Sequence, residues 1–100
     1  MSQIKKLLND SSEDVKLNAA LALGRLGDVS GIPLAKKFIS HTDSQKRIRS
    51  AEIFGVAGMR DDIILLKQVA ASDNNSAVKN AAQQAINFIQ RRFPEASKKK

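Results

Sequence analysis

The residues able to do chemistry in this chain are few, and most have structural work at hand. Asp61-Asp62 could serve as a paired-carboxylate acid/base site, and Glu13-Asp14 as a second. Each pair opens an apolar helical stretch, where a carboxylate caps free N–H groups and meets the positive end of the helix dipole. His41 is the only histidine and stands in a polar segment, SHTD, so an exposed turn position is expected. Glycines 24, 27, 55 and 58 do not make a phosphate-binding loop, because no strand leads into them. The chain has no cysteine, tryptophan or tyrosine and only four phenylalanines. Thiolate metal sites, disulfides, a cysteine nucleophile and multi-histidine metal centres are excluded, and aromatic stacking on bases is poorly supplied. No cofactor, metal or catalytic residue is expected.

The basic residues form the other candidate set. The formal charge is +7 with pI near 10.1, which points toward polyanions. Its distribution is uneven: residues 91–100 carry a net +4 and residues 1–90 only +3. Arg91, Arg92, Lys98, Lys99 and Lys100 therefore form a basic terminus, with 94–100 expected as a flexible tail after Pro94. Lys5, Lys36 and Lys67 recur every 31 residues, and Lys6 and Lys37 share the next position.

That spacing belongs to an internal repeat, which sets the elements that carry these residues. An offset of 31 lays Gly24 and Gly27 on Gly55 and Gly58, Ala20 on Ala51, Leu23 on Phe54 and Phe38 on Val69. A third copy, displaced by one more residue, lays Val15-Lys16 on Val78-Lys79 and Ala19 on Ala82. Each unit reads as two helices. In the first, Val15, Ala19, Ala22, Leu23 and Leu26 form one helical stripe, with Ser11 or Ser12 as cap and Gly27 as a left-handed stop. In the second, Ser30 is the expected cap and Pro33 lies in the first turn. The expected organisation is one domain over 1–93. Its units span 10–40, 41–72 and an incomplete 73–93, after a half-unit at 1–9. The expected core holds Val15, Ala19, Leu23, Leu26, Phe38, Phe54, Leu65, Ala82 and Ile86. About six helices without a strand pattern give an all-α stack.

With Val15-Lys16, Ala19-Ala20-Leu21-Ala22-Leu23-Gly24, Leu26-Gly27-Asp28 and Ile32-Pro33-Leu34 in view, the chain resembles HEAT-like repeats of the phycobilisome-lyase type. The resemblance implies an α-solenoid of antiparallel helix pairs, an ARM-type superhelix. The second unit departs from it, with Lys46 and Ser50 where apolar residues are usual. Enzymes of that type are not matched: nothing marks a bilin site, one histidine cannot build an iron centre of His-Glu pairs, and the aromatic lining of a base-excision pocket is missing. In such solenoids the second helices line the binding face, so Lys5, Lys6, Lys36, Lys37 and Lys67 are the implied binding strip. Position 16, with Arg47 and Lys79 equivalent to it, is where the family carries an arginine used in contacts between repeats.

Three functional classes follow. The first is a non-catalytic interaction module that presents a partly basic groove to an acidic protein or peptide. The second is a nucleic-acid accessory protein that holds phosphates weakly through the lysines and the tail. The third is part of a longer solenoid, or a homo-oligomer joined through open ends. A cytoplasmic location is expected, since no apolar run or leader-like segment is present.

Overall fold

The computed structural model describes residues 2–94 and, among them, six α-helices and no strand. They are α1 (Ser2–Lys6), α2 (Glu13–Arg25), α3 (Ile32–Phe38), α4 (Ser44–Ala57), α5 (Ile63–Ser72) and α6 (Ser76–Arg92). Single 3₁₀ turns follow α1 and precede α5. Helices α2, α4 and α6 pack side by side as one layer, and α1, α3 and α5 form the other. Each second-layer helix leans chiefly on the first-layer helix that follows it: α1 on α2, α3 on α4 and α5 on α6. The resulting slab measures 41 × 28 × 15 Å over its Cα atoms, which suits two layers of helices.

The helix boundaries follow from side-chain caps. Ser12 accepts the Val15 amide at 3.3 Å, Asp43 the Gln45 amide at 2.9 Å, and Asn75 the amides of Ala77 and Val78. Helix α2 ends in a Schellman turn. Gly27 takes φ +87°, the Gly27 amide reaches the Gly24 carbonyl, and the Asp28 amide reaches Leu23. Ser30 does not cap α3; Gly31 holds that position, and Asp28 organises the loop by accepting the Ser30 amide at 2.8 Å.

Six of the nine expected core residues are buried: Ala19, Leu23, Phe38, Phe54, Ala82 and Ile86. Three are not. Leu26 is the C-cap of α2, at the helix's open end, and is 58% exposed. Val15, in the first turn of α2, is half-buried. Leu65 is half-buried because α5 packs through Ile63 and Leu66, leaving Leu65 beside an open cleft. Leu17 and Leu21 are buried as well, as expected of a helix with neighbours on several sides.

Close approach of α2 to α4 depends on Gly24. A Cβ added there would stand 2.6 Å from Val56 Cγ2 and 3.2 Å from Ala57 Cβ. The register-equivalent Gly55 faces α6 with more room, 3.4 Å from Phe88 and 3.5 Å from Ala85.

Candidate partner-binding face and the junctions that hold it

Helices α1, α3 and α5 carry the repeated lysines. Lys5 and Lys6 end α1, Lys36 and Lys37 lie in the last turn of α3, and Lys67 lies within α5; all five are exposed. Lys5 is partly neutralised by Asp28, with Nζ 3.4 Å from Oδ2. Hydrogen bonds from Ser30 hold the Asp28 carboxyl below its ordinary range, against a smaller opposing effect of burial and with further help from Lys5. The register position of Asp28 in the next unit is Met59, so Lys36 inherits no such acid. Among the described residues Lys6, Lys36, Lys37 and Lys67 have no carboxylate partner within 4 Å. Lys37 Nζ lies 5.6 Å from the Phe38 ring centroid, within cation–π range.

Between the end of α3 and α5 the second layer opens into a cleft of about 580 Å³. Ile39, Leu65 and Val69 supply apolar surface, and Thr42, Gln68 and Asn74 supply polar groups. Lys36, in the last turn of α3, precedes the lining residues Ile39 and Ser40 by three and four positions.

Arg47 closes one wall of this cleft. Its Nε and Nη2 donate to the two Asp73 carboxylate oxygens at 2.9 and 3.1 Å, and its Nη1 donates to the carbonyls of His41 and Thr42 at 2.8 and 3.0 Å. Burial pushes the Asp73 carboxyl up. The hydrogen bonds from Arg47 and the Asn75 amide, with the charges of Arg47 and Lys79, outweigh it and hold the group below its ordinary value. The inter-repeat polar contact implied at this position is therefore made by Arg47.

The register also explains His41, whose polar surroundings in the sequence point only to an exposed turn. It stands where the other units carry Asp10 and Asp73. Asp10 accepts the Ser12 amide, Asp73 accepts the Asn75 amide, and His41 Nδ1 accepts the Asp43 amide, each at 2.9 Å. The imidazole thus replaces a carboxylate in a repeated turn, and its Nε2 faces Glu13 at 3.4 Å. The repeat itself held that signal.

Lys46 and Ser50, the departures from the family pattern, have local explanations. Lys46 takes the place of Val15 and Val78 and keeps its side chain only 15% exposed. Its ammonium stands 3.9, 3.7 and 3.3 Å from Glu13, Asp14 and Asp43. Ser50 is fully buried and donates its hydroxyl to the Lys46 carbonyl at 2.9 Å, so no unpaired group is left inside.

The basic terminus divides. Arg92 donates to the carbonyls of Gly55 and Gly58 at 2.6 and 2.9 Å and so caps the C-terminal end of α4. Burial lowers its pKa, but a guanidinium stays charged. Arg91 lies over the Phe88 ring, 5.7 Å from its centroid. Lys98, Lys99 and Lys100 lie outside the described residues. A backbone carbonyl leaves no residue-type signature, and this is why Arg92 reads in sequence as free tail charge.

Asp62 behaves as a capping residue, its Oδ2 accepting the Met59 amide at 2.8 Å, and Asp61 is an exposed residue of the same turn. Among the described residues no group of three or more potential metal ligands is assembled, and no helix is long and apolar enough to cross a membrane. What these surfaces offer is fixed charge and shape. Compared with protein-family models, residues 2–87 match the model described as HEAT repeats. No curated protein and no solved structure matches the chain significantly.

Proposed function

The chain belongs to the HEAT-repeat family, and on that footing we propose that it is a non-catalytic interaction module that presents the lysine-bearing α1–α3–α5 face to an acidic protein or peptide. HEAT repeats commonly serve as protein-interaction scaffolds. The observation that carries the finer reading is the exposure of Lys36, Lys37 and Lys67 without acidic partners, whereas Arg47 and Lys46 are held in ion pairs. Register-equivalent residues on equivalently packed helices point to the same side of a solenoid. The α3–α5 cleft adds relief to that side. Binding here needs no chemistry: rigid helices hold the charges at repeat spacing, and their field raises the association rate and the salt sensitivity more than the final affinity.

The test is affinity capture from native extract at low and high salt, with the Lys5→Glu/Lys36→Glu/Lys67→Glu variant as control. A partner retained by the unmodified chain, lost by the variant and enriched in acidic residues at its contact segment supports the reading. Equal retention by both chains rejects it.

A further inference from the structure

A second surface lies in the other layer, away from the lysines. Helix α4 forms the floor of a valley there, with Ala51 and Gly55 keeping it low; Leu21 and Arg25 of α2 stand on one wall, and Ala81, Gln84, Ala85 and Phe88 of α6 on the other. The enclosed space is about 250 Å³. That is below the usual range of small-molecule sites, about 300–1,000 Å³, and fits a single side chain better.

The floor is firm, since Leu21, Ala51 and Ala85 are buried, and the opening is apolar, since Phe88 is 46% exposed. Charge at the rim is net positive: Arg25 and one acid, Glu52, line the valley, and Arg91 stands beside Phe88. Glu52 is paired with Arg49 at 3.4 Å. Arg25 has no carboxylate partner among the described residues, and Arg91 is held over Phe88 by its ring rather than by an acid. An aromatic wall beside unneutralised arginines is the composition of an interaction hot spot.

We propose that this valley is a docking site for an acidic peptide, seating one large apolar side chain against Phe88 while flanking carboxylates meet Arg25 and Arg91. The pocket supplies selectivity for the apolar residue, and the arginines supply selectivity for its acidic surroundings.

The test uses the full chain and two fluorescent nonapeptides, one of eight glutamates around a central phenylalanine and one around a central serine. Fluorescence anisotropy should show the phenylalanine peptide binding at least about tenfold more tightly, the gain expected from burying one apolar side chain. Phe88→Ala, and separately Gln84→Trp, which fills the valley from an exposed position, should each erase that difference with circular dichroism unchanged. Arg25→Glu/Arg91→Glu should weaken the phenylalanine peptide about tenfold. Lys36→Glu/Lys67→Glu should weaken the serine peptide and leave the phenylalanine peptide in place, which separates this site from the lysine face. Affinities within twofold of each other, a preference that survives both Phe88→Ala and Gln84→Trp, or no saturable binding of either peptide would overturn the proposal.

Discussion

Arg47 and Asp73, 26 residues apart, form a two-point ion pair that ties the first turn of α4 to the loop before α6. The same guanidinium also holds the His41 and Thr42 carbonyls, so one side chain joins the openings of two successive units. The equivalent junction one unit earlier is built differently. His41 replaces the aspartate there, and Lys46 carries the electrostatic link to Glu13 and Asp14 instead.

Arg47→Met should therefore destabilise the fold by about 2–3 kcal/mol, the range for charge-assisted hydrogen bonds whose partner groups are left unpaired. Arg47→Lys should recover little of the loss, because an ammonium cannot supply the planar fork. Urea denaturation monitored by circular dichroism measures both.

The same pair fixes a pH dependence. The Asp73 carboxyl is held low in the folded state, so its contribution is fully present above the ordinary unfolded value of about 3.9 and is lost as pH falls through the folded value. Without Arg47, only the Asn75 amide and the Lys79 charge oppose burial at Asp73, and this source of acid sensitivity is reduced. The stability difference between the unmodified chain and Arg47→Met should shrink steadily as pH is lowered from 5 toward 2.

Much of this architecture was legible in the sequence. The 31-residue register located the helix pairs and the left-handed stop at Gly27, and the family resemblance implied the inter-repeat role of position 47. It failed where the outcome depends on which helix packs on which. Leu26 and Leu65 fit the apolar stripe but fall beside a helix end and a cleft. Lys46 stands out as a misfit, yet two of the three acids that hold it, Glu13 and Asp14, lie across a helix–helix contact. Met59 in place of an aspartate is visible in the register, but only the Lys5–Asp28 pair gives it meaning. The valley under Phe88 needs three helices to converge, and no single stretch of sequence encodes it.

The two register-equivalent glycines should respond oppositely to alanine. Gly24→Ala forces a methyl into Val56 and should cost about 1–3 kcal/mol, the usual penalty for overpacking. Gly55→Ala meets only ordinary contacts, and its gain in helix propensity, up to about 1 kcal/mol, should leave stability unchanged or improved. Thermal melts of the two variants side by side decide the point.

Arg92→Ala should lower stability by about 1–2 kcal/mol, less than a buried charged hydrogen bond because the guanidinium is partly solvated. It should leave polyanion binding nearly unchanged, since its donors are committed to Gly55 and Gly58. Heparin-column retention beside a urea melt reads both effects.

The most direct test of the lysine-bearing face is a titration of a fluorescent nona-glutamate peptide into the unmodified chain and into Lys5→Glu/Lys36→Glu/Lys67→Glu at low salt. Lys36 and Lys67 are exposed and, among the described residues, unpaired, and such changes rarely alter stability by more than about half a kcal/mol each. The Lys5–Asp28 pair that is also broken is a surface pair worth at most about 1 kcal/mol, so both chains should melt within a few degrees of each other. The unmodified chain should bind with a salt-sensitive affinity at least about tenfold above that of the variant. Equal affinities in two equally stable chains would contradict the account and move the interaction surface off α1, α3 and α5.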